Sequence, residues 1–144
     1  MTLPPPAPHA QSGVLAYRWQ AQQLEVLLIT SRRRSRWVIP KGIIEPNLSA
    51  AASAEKEAYE EAGIAGQVEP ISFGTYTYRK SGYRWTVSVF PLEVTTVLAN
   101  WPEMLSRRRD WFSVRDAAEL VEEPELRALL SHLPEHLQAA LPEQ

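Results

Sequence analysis

The sequence predicts an α/β fold, a mixed sheet lying between helices, on three observations. Apolar runs at 12–18 and 24–30, and a longer stretch of alternating β-branched and aromatic residues at 83–97, read as strands. Between them, 49–62 is rich in alanine and glutamate and ends at Gly63, the pattern of a capped helix. Beyond the strands, 115–121 and 125–141 carry helical patterns to the end of the chain.

Taken in order, 12–18 and 24–30 pair through the polar turn 20–23, and 37–39 is a short strand leading into a loop over 40–47. Asn47 or Ser49 can accept hydrogen bonds from the first free amides of the next helix, and Gly63 suits its left-handed end. The segments 68–78 and 83–97 form a long antiparallel hairpin turning near Lys80–Gly82, followed by a short strand at 111–113. Of the two last helices, 125–141 is expected to break at Pro134, which has no amide hydrogen to donate.

The 144 residues make one domain, 12–144, behind a proline-rich leader at 1–11 expected to be disordered. There is no cysteine, which excludes disulfides, thiolate catalysis and cysteine-held zinc. His132 and His136 stand four residues apart, but with no acidic ligand beside them a solvated helix face explains them. No segment is long and apolar enough to span a membrane, and the cytoplasm is the expected compartment. A net charge of −2 counts against broad nucleic-acid contact, although the arginines are clustered.

The chemistry is concentrated in residues 42–64. At about 100° per residue, Glu57, Glu60 and Glu61 share roughly a 100° arc of one helix. Ala51, Ala54, Ala58 and Ala62 form an adjoining stripe small enough to let the helix sit close to a sheet. An E-x-x-E-E run is ordinarily a solvated acidic face. Three carboxylates on one arc repel, however, and solvent, a basic partner or a divalent cation relieves them.

With Gly42 and the Pro40-Lys41 before it, this stretch resembles the Nudix box, G-x5-E-x7-R-E-U-x-E-E-x-G-U, where U is aliphatic. Gly42, Glu57, Ala58, Glu60, Glu61, Gly63 and Ile64 fall at their places, with Ala58 a small version of the aliphatic position. Two positions depart: Leu48 replaces the first Glu and Lys56 the Arg. The fixed spacing over twenty-three residues makes the match far more specific than a lone acidic helix. The approach Ser31-Arg32-Arg33-Arg34-Ser35-Arg36-Trp37, and Arg107-Arg108-Arg109-Asp110-Trp111-Phe112, resemble the diphosphoinositol polyphosphate and dinucleoside polyphosphate branch.

The resemblance implies a Nudix-type α/β/α sandwich and hydrolysis of a phosphoanhydride bond in a nucleoside diphosphate derivative, dinucleoside polyphosphate or diphosphoinositol polyphosphate. It assigns catalysis to Glu57, Glu60 and Glu61, and cation binding to the same three with the Gly42 carbonyl. The implied cofactor is Mg²⁺, with Mn²⁺ able to replace it. It brings Arg32, Lys41, Arg79 and Arg107 to the substrate phosphates, where planar guanidinium donors bind well. Tyr76, Tyr78, Tyr83 and Trp85 can stack a base, but alternation in a strand sends half of them to the core. Two other functions stay open: a ligand-sensing module without turnover, because Leu48 and Lys56 depart, and an RNA 5′-end pyrophosphohydrolase, because of the arginines.

Overall fold

The computed structural model describes residues 8–139. Its elements are β1 (Ala10–Gln20), β2 (Gln23–Thr30), β3 (Trp37–Val38), β4 (Lys41–Ile43), α1 (Ala50–Glu57) continued by a π-helical turn (Ala58–Ala62), β5 (Ile64–Val68), β6 (Gly74–Lys80), β7 (Tyr83–Val97), β8 (Arg109–Ser113), α2 (Val114–Leu120) and α3 (Pro124–Ala139). Among the described residues the strands form one eight-stranded sheet with a central order β3-β2-β1-β7-β5. The sheet is mixed. β1 runs parallel to β7 and antiparallel to β2 and β4.

Alternation along the strands builds two cores. Val14 and Ala16 of β1, Leu27 and Ile29 of β2, and Phe90 and Leu92 of β7 meet the alanines of the acidic helix, Ala51, Ala54, Ala58 and Ala62. The intervening residues Leu15, Tyr17, Val26, Leu28, Val87 and Val89 face the other way. There they pack on Ala117 and Val121 and on Leu126, Leu130, Leu133 and Leu137 of α3. Helices on both faces of a mixed sheet make the expected α/β/α sandwich.

Four expected elements are corrected. The strand expected over 68–78 is two, the tail of β5 and then β6, which pair with successive stretches of β7. Pro70, without an amide hydrogen, lies in the link between them, where Glu69 N–H and Phe73 N–H reach Pro91 O and Val89 O of β7. The loop expected over 40–47 contains β4, whose Gly42 lies opposite Ser12 of β1. α3 runs unbroken through Pro134. Four buried leucines on one face offset the roughly 3 kcal/mol a mid-helix proline costs. Strand β1 begins at Ala10, inside the expected leader. Residues 1–7 of that leader lie outside the described residues, as do 140–144.

Candidate active site

The acidic helix starts and stops where its caps allow. The Ser49 hydroxyl accepts from the Ala52 amide at 3.0 Å. At the far end Gly63 takes the left-handed conformation, φ 66° and ψ 38°. Arg109 completes that end by donating to the carbonyls of Ala62 (2.8 Å), Gly63 (3.2 Å) and Leu98 (2.6 Å) while its guanidinium lies 3.9 Å from the Trp101 ring centre. The Trp101 indole donates to Glu61 O at 3.0 Å. The last turn is therefore fastened from outside, by the segment after β7.

That turn is π-helical over Ala58–Ala62. In a turn closed by i→i+5 bonds, residue i+4 comes nearer to eclipsing residue i than it does in an α-helix. Glu60 lies beside Lys56, whose Nζ is 3.5 Å from it, and Glu61 exerts the largest charge effect on Glu57. The expectation of regular helical spacing is corrected here.

The three carboxylates then differ sharply. Glu61 is held on both oxygens, by the Lys41 amide at 3.0 Å and by Arg107 at 2.9 Å. Its side chain is only 12% exposed, and burial raises its pKa against the pull of Arg107. Glu57 lies on Gly42, where an added Cβ would overlap its carboxylate. Burial first, then Glu61, Glu60 and Glu103, push its pKa up to about 7, and Lys56 only partly counters them. The two largest charge effects on Glu57 thus come from its own helix, as the spacing of the run implies.

Arg107 has every donor group engaged. Its Nε meets Glu103 at 2.8 Å, one terminal nitrogen meets Thr30 O at 3.0 Å, and the other meets Glu61. The side chain is 10% exposed. The Lys41 side chain is largely buried, with its ammonium 4.9 Å from the Tyr78 ring centre, and burial lowers its pKa.

Lys41, Glu61, Tyr78 and Arg107 border a cleft of about 900 Å³. All four expected substrate contacts, Arg32, Lys41, Arg79 and Arg107, line it, together with Arg33, Lys80, Tyr78 and Glu61. Glu57 and Glu60 are not part of its wall. Arg36, also in the lining, is turned to Glu122 (2.9 Å) and Glu123 (2.7 Å), which anchors the arginine loop to the start of α3. Of the other aromatics, Tyr76 is core, Tyr83 stacks with His9 at 4.4 Å, and Trp85 meets the same ring edge-on.

Two residues at the centre carried no clear signal in the sequence. Glu103 donates its amide to Glu60 O at 3.1 Å, pairs with Arg107, and contributes to the shift of Glu57. Its i, i+4 spacing to Arg107 was visible; its contact with the acidic helix was not. Ser12, paired in register with Gly42, is fully buried, and its hydroxyl has no partner among the described residues. His132 and His136 make no metal pair: His132 is exposed, and His136 meets Glu69 at 2.8 Å.

As they stand, no three acidic or histidine side chains among the described residues are arranged to hold a metal ion. Arg107 and Lys56 engage Glu61 and Glu60 instead. The donor set nevertheless fits a hard divalent cation. It offers oxygen alone, and a half-buried Glu57 that makes no ion pair among the described residues and whose charged neighbours, Lys56 apart, are negative.

The NUDIX domain family profile matches residues 9–133. The chain belongs to the NUDIX family. Its acidic helix with Gly42 is the Nudix box, and the family's hydrolases generally use a divalent metal such as Mg²⁺. It is 31% identical over 114 residues to human diphosphoinositol polyphosphate phosphohydrolase 3-alpha, covering 78% of this chain and 68% of that one. The Arabidopsis thaliana mitochondrial Nudix hydrolase 12 is 34% identical over 111 residues, covering 68% and 52%. In fold it is similar to a Caenorhabditis elegans Ap4A hydrolase binary complex, with a TM-score of 0.76, 24% identity, and coverage of 90% and 98%. As a member close to named phosphohydrolases, the chain is a Nudix hydrolase. Among the described residues no helix is long and apolar enough to cross a membrane.

Proposed function

We propose that this Nudix hydrolase cleaves a phosphoanhydride bond in a densely phosphorylated small molecule, a diphosphoinositol polyphosphate or dinucleoside polyphosphate, with Mg²⁺ or Mn²⁺ as cofactor. The observation that carries this is the cleft. Arg32, Arg33, Lys41, Arg79 and Lys80 line one concavity that reaches Glu61 of the box. So many cations bordering one carboxylate suit several phosphates held at once.

Glu57, Glu60 and Glu61, with the Gly42 carbonyl, would hold the cation. When bound it neutralises charge on the phosphate oxygens and lowers the pKa of a water. The chain itself orients the phosphates through the cleft cations and keeps Glu61 in place through the Lys41 amide. The mostly buried Lys41 ammonium, beside the Tyr78 ring, gives one fixed positive point near the reacting end. No protein nucleophile is needed, which suits a chain without cysteine.

Phosphate release from a panel of diphosphoinositol, dinucleoside and nucleoside-diphosphate-linked substrates, with and without Mg²⁺, tests this. The expected result is cation-dependent release that is fastest on the most phosphorylated members. Release from none of them would overturn it. A sensing module without turnover is the second reading. It is favoured by the grip of Arg107 on Glu61 and by the lack of three convergent ligands among the described residues.

A further inference from the structure

We propose that Glu45 is a positioning residue for the box: its carboxylate holds the Lys56 ammonium, and through Lys56 it sets the orientation of Glu60. The proposal rests on the reading of the box as the hydrolytic site. Its starting point is a pair of departures from the family pattern, Leu48 and Lys56, which leave the box without that pattern's first carboxylate and its guanidinium.

The structure supplies a different carboxylate. Lys56 Nζ lies 2.5 Å from Glu45 Oε1 and 3.5 Å from Glu60 Oε1, so one ammonium bridges loop and helix. Its hydrogen bond to Glu45 is the first cause of its raised pKa, ahead of the attraction of Glu60. Glu45 is itself fixed. Its amide donates to the buried Ser53 hydroxyl at 3.0 Å, and its carbonyl accepts from the Leu48 amide at 3.2 Å. Asn47, with φ 69°, takes the left-handed conformation that closes this turn. The turn therefore aims the Glu45 side chain back along α1, toward Lys56.

An ammonium has no fork to fix its own direction, so a lysine between two carboxylates is placed by whichever is better anchored. Here that is Glu45. Glu60, a third exposed and paired only with Lys56 among the described residues, would otherwise be free to swing away from Glu57 and Glu61. The Glu45–Lys56 pair is solvent-exposed, so it should contribute little to folding. Its effect should fall on the geometry of Glu60.

A double-mutant cycle on Glu45→Ala and Lys56→Ala tests this, with kcat, KM, thermal midpoint and Mn²⁺ affinity by calorimetry as readouts. Each single variant should lower kcat about tenfold with KM changed less than about twofold, and the double variant should be no worse than either. Mn²⁺ binding should weaken by about fivefold in each, with the midpoint within about 2 °C of wild type. Wild-type kcat in Glu45→Ala, or losses that multiply in the double variant, would overturn the proposal. If wild type turns over no phosphoanhydride, the hydrolytic reading fails by itself, and the calorimetry decides alone. A shared loss of Mn²⁺ affinity then supports the positioning role, and unchanged affinity in Glu45→Ala overturns it.

Discussion

The two faces of the sheet use the same strands for different ends. On one, α3 presents Leu126, Leu130, Leu133 and Leu137, each worth about 1.5–3 kcal/mol when fully buried. On the other, the box helix presents only Ala51, Ala54, Ala58 and Ala62. The alanines give up apolar area, and in return the helix lies close enough to the sheet for Glu57 to rest on Gly42. The large apolar side chains are concentrated on the α3 face and the proposed chemistry on the box face, although β1 supplies alternate residues to both.

The sharpest way to break this comparison is to change charge without shape on the box face. If, as proposed, carboxylate charge holds the cation, Glu57→Gln and Glu61→Gln should each lower kcat by at least about two orders of magnitude. Circular dichroism should find both folded. Glu57→Gln should lose no thermal stability, since it removes a charge that burial and three neighbouring carboxylates disfavour. Steady-state rates within about tenfold of wild type in either variant would remove the catalytic assignment.

The converse change belongs to the α3 face. Leu130→Ala should cost about 2–5 kcal/mol in denaturant unfolding. Its kcat, corrected for the folded fraction, should stay within about twofold, since Leu130 packs in the cluster on the opposite face of the sheet from the box alanines. Ala54→Leu joins the two properties. Overpacking should cost about 1–3 kcal/mol and also depress kcat, because the helix must lift from the sheet, and Glu57 with it from Gly42. A destabilised Ala54→Leu with unchanged kcat would show that close approach is not what positions the carboxylates.

Much of this division was legible in the chain. The alanine stripe, an N-terminal cap at Asn47 or Ser49 (it is Ser49), the Gly63 stop, and the strand Tyr83–Val97 are local patterns, fixed by residues a turn or a strand apart. The π-helical turn was not legible, and neither were the Arg109 and Trp101 side chains that fasten it from some forty residues away. The same holds for Arg107. Its sequence suggests a phosphate contact, and it does line the cleft, but its donors are taken by Glu61, Glu103 and Thr30. Long-range ion pairs leave no periodicity in a sequence. Pro134 misled for the opposite reason: a strong local breaker is outweighed by four buried leucines.

Smaller effects are expected at the rim. Arg32 and Arg79 are exposed, so each Arg→Ala should raise KM only about three- to tenfold, with the larger factor on substrates carrying more phosphates. Equal factors on a nucleoside diphosphate derivative and on a longer polyphosphate would show that these side chains do not select the substrate.

Calorimetric titration of Mg²⁺ into the protein at pH 6 and pH 8, for wild type and Glu57→Gln, tests the central claim most directly. A Glu57 pKa raised to about 7 means that the cation-free site is largely protonated at pH 6 and ionised at pH 8. The sign follows: this carboxyl favours the folded, cation-free protein at low pH and loses that favour as pH rises through about 7, whereas Mg²⁺ needs the ionised form. The account predicts weaker binding with proton release at pH 6, tighter binding with little release at pH 8, and loss of most affinity and of the pH dependence in Glu57→Gln. Equal affinity in wild type and Glu57→Gln at both pH values would contradict it.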